Sequence, residues 1–123
     1  MARTLCALRG ATTIDADTPR LIGDATQELL KALLSQNDLS AGDIISAIFT
    51  VTPDIRSDFP ARAARDLGWH DVSLLCTTEI PVSDSLGMCI RVLIHAETTR
   101  SRADIRHVYL RKAQTLRPDL ISE

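Results

Sequence analysis

The chain has 123 residues, 45% hydrophobic and 24% charged, which is the composition of one globular domain. A formal net charge of −2 argues against nucleic acid or an anionic membrane as a partner. Cys6, Cys76 and Cys89 form no CxxC or Cys/His spacing, so we expect a reducing, cytoplasmic setting and no metal site. No apolar run is long enough to span a membrane, and Arg3 and Arg9 interrupt the N-terminal apolar residues, so we expect no signal peptide.

The first third of the chain predicts a strand followed by a long helix. Residues 5–8 are apolar and predict the first strand, with residues 9–13 as its exit. Thr18 before Pro19 is a helix start, because a capping hydroxyl precedes a proline at the first helical position. The helix is predicted to end near Asn37. Its apolar positions recur at helical spacing and should cover a sheet; they are Ile22, Ala25, Leu29 and Leu33.

The middle of the chain predicts a buried strand and a shorter helix. Residues 40–43 are predicted to form a capping-box turn. Residues 44–51 are almost continuously apolar, which is typical of a strand buried on both faces. A second helix is predicted from Pro60 through Leu67, with Gly68 ending it in a left-handed conformation.

The last third predicts mainly strands. We expect strands over residues 72–79 and 88–96, joined by a loop, and a capped turn at 101–104. A brief strand over 107–110 and one helical turn over 112–116 follow. The whole pattern predicts a single α+β domain over residues 1–123, with one long and one short helix on one face of the sheet.

Arg91 lies inside the apolar strand that begins at Met88. Its guanidinium keeps its charge, so it must reach water, a carboxylate or an anionic ligand. Strand alternation allows Arg91 to point to solvent while Ile90, Val92 and Ile94 point to the core. The chain has twelve arginines and two lysines, a bias that permits planar recognition of anions.

Common catalytic motifs are absent from the sequence. There is no phosphate-binding glycine loop, HExxH or GxSxG. His70, His95 and His107 are far apart in sequence and are better explained as ordinary surface or packed histidines than as metal ligands. Cys76 has no adjacent base in the sequence, so we interpret it as packing, not as a nucleophile.

Seven short segments stand in order along the chain: RGATT at 9–13, TPD at 52–54, FPARAAR at 59–65, CTTE at 76–79, CIRV at 89–92, IRHVYL at 105–110 and LRPDL at 116–120. Together they resemble the AroH-class chorismate mutases over essentially the whole chain. The resemblance implies a homotrimer with a mixed sheet, a ferredoxin-like pseudo-α/β-barrel, whose active sites lie between adjacent subunits. It also implies the rearrangement of chorismate to prephenate in aromatic amino-acid biosynthesis, with no cofactor, no metal and no covalent intermediate.

The resemblance further implies roles for individual residues. Arg91 would donate to the ether oxygen of chorismate, and Arg9, with Tyr109 alongside, would bind a carboxylate. Glu79, with Cys76, would hold the ring hydroxyl, and Glu79 could also orient Arg91. The remaining substrate-binding positions are Phe59, Ala61, Leu74, Leu75 and Leu116 in the walls, and Arg62, Arg65 and Arg117 at the mouth.

Two positions depart from the family pattern. Arg62 stands where the family commonly has lysine, and Leu75 stands where a polar side chain is expected, so only its backbone could make a polar contact. In addition, Cys76 and Glu79 are three apart and would lie on opposite faces of a regular strand. We therefore predict a bulge or the end of the strand between them.

Some alternatives stay open at this point. Arg62 and Arg65 could be solvated charges or ion pairs, and Tyr109 could be an interface anchor. A trimeric enamine/imine deaminase would also place an arginine at subunit clefts, and a silent module could bind aromatic-pathway metabolites to regulate a partner. The set of Arg9, Glu79, Tyr109 and Arg117 favours the mutase.

Overall fold

The computed structural model describes residues 2–116. Within this range one five-stranded sheet has the strand order β3-β2-β4-β1-β5. The strands are β1 (Thr4–Thr13), β2 (Ile44–Val51), β3 (Ser73–Thr78), β4 (Cys89–Thr98) and β5 (Val108–Tyr109), and the helices are α1 (Pro19–Gln36) and α2 (Pro60–Asp66). β4 pairs antiparallel with β1 and β2, whereas β3 and β5 pair parallel with β2 and β1. The sheet is therefore mixed, and the predicted α+β class is confirmed.

Helix α1 forms as the sequence predicts. The Thr18 hydroxyl accepts a hydrogen bond from the Leu21 backbone N–H at 3.1 Å, and Pro19 opens the first turn. Asn37 caps the C-terminal end. The apolar stripe is buried against the sheet, which supplies most of the stabilisation of an amphipathic helix; its members are Ile22, Ala25, Leu29, Leu30 and Leu33.

The two faces of the sheet differ in what covers them. Ile90, Val92 and Ile94 of β4 are buried in the clusters formed with the helices, as predicted. The opposite face, which we call the open face, carries the side chains that alternate with these. In register across the sheet they include Thr50, Arg91 and Ala11 in one row and Ile48, Leu93 and Arg9 in the next.

Strand β1 is longer than predicted. Residues 9–13 are not an exit from the strand but its second half, paired in register with β4 down to Thr13 and Cys89. Gly10 marks a close approach instead of a turn, because a Cβ atom there would lie 2.8 Å from Leu33 Cδ1. The missing side chain lets α1 pack directly on the strand.

Strand β2 has the predicted bounds but not the predicted burial. Ala47 and Phe49 are fully buried under the helices, whereas Ile48 is half-buried and Ile45 is 46% exposed. The prediction of two buried faces is wrong for this chain, because within residues 2–116 the last 3-10 helix covers the open face only beside Ala11 and Cys89 and leaves the β2 part uncovered. The apolar run instead indicates a face that another molecule can bury.

The remaining elements lie close to their predicted positions. Gly68 has φ +91 and follows α2, as the left-handed ending requires. Residues Ala41–Asp43, Arg102–Asp104 and Arg111–Leu116 form 3-10 helices, and the capping box at Ser40 and Asp43 is present. The last strand is shorter than the predicted 107–110, since only Val108–Tyr109 pair with β1. No helix in the described range is long and apolar enough to cross a bilayer.

Candidate active site

A cavity of about 540 Å³ opens on the open face of the sheet. Strands β1, β2, β4 and β5, the residue that follows β3 and the last 3-10 helix contribute to it. Its polar part contains both charge signs, and its walls are mostly apolar. The lining residues are Arg9, Gly10, Ile48, Thr50, Glu79, Arg91, Val92, Leu93, Tyr109 and Leu116.

Arg91 and Glu79 form the charged pair at the floor of this cavity. Arg91 Nε lies 3.6 Å from Glu79 Oε2, which is an ion-pair distance but too long for a hydrogen bond. The same Oε2 accepts a hydrogen bond from the Thr50 hydroxyl. Arg91 Nε is buried and has no hydrogen-bond partner within residues 2–116. The site thus places an arginine whose Nε makes no hydrogen bond within the described residues next to a carboxylate that accepts one from Thr50.

Arg9 and Tyr109 add a second cation and a phenol to the lining of the cavity. Tyr109 is paired in register with Ala11, two residues from Arg9 on the same face of β1. The Arg9 backbone N–H donates to His107 Nδ1 at 2.9 Å, which ties β1 to the segment that leads into β5. Arg9 itself is exposed, so its guanidinium is accessible to an anion.

Cys89 is buried next to the cavity and packs with Ala11 and Ala113. Burial raises the pKa of the Cys89 thiol, and the charge of nearby Arg91 opposes that rise. The thiol is therefore held in its neutral, weakly nucleophilic form. No group of three His, Cys, Asp or Glu side chains that could hold a metal occurs in the part of the chain that the structure describes.

The arrangement is suited to binding and polarising a small anion. Two arginines about one cavity can hold negative groups at its two ends, and apolar walls strengthen these interactions by excluding water. Glu79 offers an acceptor for a hydroxyl. Charge and shape, not a nucleophile, are what these residues provide.

Comparison with known proteins identifies the family of this chain. Residues 5–120 match the family model described as chorismate mutase type I. The chain belongs to the type I chorismate mutase family. It is 49% identical over 116 residues to the chorismate mutase AroH of Thermus thermophilus, covering 94% of this chain and 95% of that protein.

Two further relatives give the same result. The chorismate mutase AroH of Bacillus subtilis strain 168 is 40% identical over 114 residues, with 92% of this chain and 90% of that protein covered. The solved structure of a chorismate mutase from Clostridium thermocellum has a TM-score of 0.88 and 48% identity, covering 89% of this chain and 98% of its own. The resemblance to this family is confirmed, and the imine deaminase alternative is not supported.

Five of the residues that the sequence nominates lie together in the cavity. Strand alternation and register explain the grouping, since all except Leu116 stand on the open face or directly continue it. Leu116 reaches the cavity from the 3-10 helix Arg111–Leu116. These residues are Arg9, Glu79, Arg91, Tyr109 and Leu116.

The other nominated residues within the described range do not line this cavity. They lie around α2 and β3, and β3 is the edge strand opposite β5. Phe59 is 62% exposed and Leu75 is 59% exposed, whereas Ala61, Leu74 and Cys76 pack in or against the core under the helices. Arg62 and Arg65 are exposed on α2, and Arg117 lies outside the described residues.

Arg62 has a partner of its own on the surface. Its Nε lies 3.0 Å from Asp58 Oδ1, one helical turn before it. The Arg62 side chain is 64% exposed and the Asp58 side chain only 14%, so water screens the arginine end of the pair and Arg62 can leave it at a modest cost. The ion-pair alternative for Arg62 is therefore observed, and the pair leaves Arg62 able to turn towards a ligand.

Strand β3 ends at Thr78, so the predicted strand end is present, but it does not bring Cys76 and Glu79 to one face. The Glu79 backbone N–H still donates to the Val51 carbonyl at 2.8 Å, so the alternation of faces continues to Glu79. Glu79 consequently reaches the open face while the Cys76 side chain faces the helices. Any contact of Cys76 with a ligand on the open face must come from its backbone.

The sequence reasoning missed Thr50, Ile48 and Leu93, which also line the cavity. Leu93 could have been found, since it is two residues from Arg91 and strand alternation puts it on the same face. Thr50 and Ile48 could not, because they lie opposite Arg91 and Leu93 only through the register of β2 against β4.

Proposed function

We propose that this protein is a chorismate mutase that converts chorismate to prephenate, the precursor of phenylalanine and tyrosine. The rearrangement is intramolecular: the ether C–O bond breaks as a C–C bond forms, and no atom is gained or lost. The observation that supports it best is the cavity in which Arg91, Glu79 and Arg9 converge. A reaction of this type needs no nucleophile, metal or general base.

Arg91 would act on the ether oxygen. Partial negative charge accumulates there in the transition state, and the guanidinium is a permanent, preoriented cation. Arg91 Nε is buried without a hydrogen-bond partner in residues 2–116, so its donor is available without breaking another bond. A donor placed in this way is worth about 3 kcal/mol, or roughly a hundredfold in rate.

Arg9 and Tyr109 would hold a substrate carboxylate and so fix the flexible side chain of chorismate in its compact reactive conformer. This role lowers the entropic part of the activation barrier, because the bound substrate has already lost the conformational freedom that it would otherwise lose on reaching the transition state. Pairing of Tyr109 with Ala11 and the hydrogen bond from the Arg9 N–H to His107 keep both groups on rigid backbone.

Glu79 would accept a hydrogen bond from the ring hydroxyl. One carboxylate oxygen, Oε2, is held by Thr50 and faces Arg91, which leaves Oε1 for the substrate. The negative charge of Glu79 also keeps the guanidinium of Arg91 oriented towards the cavity.

The active form would be a homotrimer in which neighbouring chains complete each site. The edge of one chain formed by α2 and β3 carries exposed Phe59 and Leu75, and it would face the Arg9 and Tyr109 side of the next chain. Backbone groups along this edge, from Leu74 to Cys76, would supply the polar contacts that their side chains cannot. Ala61 would contribute to the wall at the start of α2.

Three further arginines would close the mouth of the cleft over a carboxylate. Arg62 and Arg65 lie on the exposed surface of α2, and Arg117 follows the cavity residue Leu116 in sequence. We propose that the enzyme works in the cytoplasm on free chorismate, independently of nucleic acid or membranes.

The direct test is to mix the purified full-length chain with chorismate and follow both loss of chorismate and formation of prephenate by ¹H NMR. We expect stoichiometric conversion far above the uncatalysed rate, with no added metal or cofactor. A folded protein that binds a transition-state-like dicarboxylate without turnover would support a regulatory module and contradict the proposed activity.

A further inference from the structure

Thr50 has a hydroxyl in the cavity that the catalytic roles above leave unexplained. We infer that Thr50 is a positioning residue: its hydroxyl holds Glu79 Oε2 at a distance that orients Arg91 without occupying its donor. This inference rests on the proposed chorismate mutase activity and deepens it, since it concerns what keeps Arg91 available in the resting site.

Strand pairing places Thr50 next to both Arg91 and Glu79. Thr50 of β2 lies directly opposite Arg91 of β4 in the antiparallel register, where side chains on one face are neighbours. Glu79 follows β3, which pairs with β2 on the side away from β4. Its backbone N–H donates to the carbonyl of Val51, the residue after Thr50. The backbone hydrogen bond fixes the main chain of Glu79, and the side-chain hydrogen bond from Thr50 to Oε2 fixes its carboxylate.

The distances indicate what this hydrogen bond does. A guanidinium and a carboxylate facing each other normally close to a direct hydrogen bond of about 2.7–2.9 Å. Here Arg91 Nε stops at 3.6 Å from the Oε2 that Thr50 holds, and Nε is buried with no partner within residues 2–116. A buried donor without a partner is costly, so something must hold the carboxylate back from it, and the Thr50 hydroxyl is the group bonded to that oxygen.

Removal of the hydroxyl should let Glu79 collapse onto Arg91. Arg91 Nε would then donate to Glu79 in the free enzyme. That hydrogen bond would have to break before Nε could donate to the ether oxygen in the transition state. The loss would therefore appear in the transition state, and kcat should fall while KM changes little.

The first experiment compares Thr50→Val, Thr50→Ser and Thr26→Val by kcat and KM for chorismate. Thr50→Val keeps the β-branched shape and should lower kcat about tenfold, in line with a lost hydrogen bond to a charged group. Thr50→Ser keeps the hydroxyl and should stay within about twofold of the parent. Thr26→Val is the control for the same change of side chain, because the Thr26 hydroxyl is buried in α1, outside the cavity lining, and, unlike that of Thr50, has no hydrogen-bond partner in the described range.

A double-mutant cycle with Glu79→Gln separates positioning from a general effect on the fold. If Thr50 acts through Glu79, Thr50→Val should have little further effect on kcat in the Glu79→Gln background. A tenfold loss that persists in that background would show that Thr50 acts through the strand instead, and the inference would be wrong. A fully active Thr50→Val would also overturn it.

A crystal structure of the variant gives a readout independent of rate. The distance from Arg91 Nε to Glu79 Oε2 should shorten from 3.6 Å into hydrogen-bonding range; an unchanged distance would contradict the inference. If Thr50→Val does not fold, Thr50→Ala serves for the same measurements. An inactive wild-type chain would remove the proposed function itself, whereas an active wild type with an equally active Thr50→Val would remove only this role.

Discussion

Asp17 joins two segments that are far apart in sequence. Its carboxylate accepts hydrogen bonds from the backbone N–H groups of Arg56 and Ser57 at 3.0 and 3.1 Å, and from the Ser57 hydroxyl at 2.8 Å. The loop that it holds leads into Phe59 and α2. Hydrogen bonding by the Ser57 hydroxyl, with help from the two N–H groups, lowers the pKa of Asp17 below its ordinary 3.8.

This depressed pKa predicts a defined pH dependence of stability. Because the folded state binds the Asp17 proton less readily than the unfolded state, the stabilisation is fully present above the unfolded-state pKa and is lost as pH falls through the lower folded pKa. We expect Asp17→Asn to have a lower Tm than the parent at pH 7. The two Tm values should converge as pH approaches the folded pKa, and a constant difference down to that pH would contradict the assignment.

At the scale of elements, the Thr52-Pro53-Asp54 motif connects the end of β2 to the start of β4. Both carboxylate oxygens of Asp54 accept from the Met88 N–H, at 3.1 and 2.9 Å. The Thr52 hydroxyl donates to Asp54 and accepts from the Cys89 N–H at 3.0 Å. Met88 has φ 50, so these bonds hold a strained residue three positions before Arg91.

Gly87 makes this connection possible, and a pair of glycine substitutions tests it. A Cβ atom at Gly87 would lie 2.7 Å from Asp54 Oδ2, whereas a Cβ atom at Gly23 in α1 would meet nothing within 4 Å. We expect Gly87→Ala to lower the free energy of unfolding by about 1–3 kcal/mol through this overlap. Gly23→Ala should raise it by about 0.5–1 kcal/mol, because alanine favours a helix.

Chemical denaturation of both variants measures the difference. Equal changes in the two free energies of unfolding would mean that overlap between a side chain at residue 87 and Asp54 does not affect stability. Activity should fall in Gly87→Ala, since the start of β4 positions Arg91, and should be kept in Gly23→Ala.

The elements were largely predictable from sequence because their signals are local. Thr18 and Pro19 start α1, Gly68 ends α2, and both appear at the expected places. The extension of β1 over residues 9–13 was not predicted, since a glycine that permits close packing of Leu33, as Gly10 does, has no local sequence signal of its own. The burial of β2 was also mispredicted, because burial by another molecule leaves the same apolar pattern as burial by the chain itself.

At the scale of the whole molecule, the described residues leave two parts uncovered: the α2 and β3 edge, and the open face away from the last 3-10 helix. Leu5 on the open face is 65% exposed, and Phe59, Leu75, Ile80 and Val82 are each more than half exposed. Apolar surface of this extent on a small domain is typical of an interface. We expect a solution mass three times the 13.5 kDa of one chain.

Leu5→Asp tests assembly without touching a proposed substrate contact. A carboxylate on the open face would be buried without a partner on association, so we expect dissociation to the 13.5 kDa chain and loss of turnover together. Ala103→Asp, on the exposed 3-10 helix Arg102–Asp104, is the matched control and should remain trimeric. A fully active monomeric Leu5→Asp would contradict shared active sites.

The candidate site was only partly predictable from sequence. The family resemblance nominated Arg9, Glu79 and Arg91, and the register of the strands brings them to one cavity. No local pattern could show that Thr50 would lie between Glu79 and Arg91, because that position depends on pairing between residues 41 apart in sequence. Residues such as Phe59 could be nominated, but a single chain does not bring them to the cavity.

The most direct measurement of the central claim is the effect of Arg91→Lys on kcat and KM for chorismate. Lysine keeps the charge but loses the reach and the planar donors, so we expect kcat to fall by about a hundredfold with KM changed by only a few-fold. Arg20→Lys is the control, since the Arg20 side chain is 88% exposed on α1, and it should match the parent. A large rise in KM with kcat unchanged would contradict the claim and make Arg91 a substrate anchor.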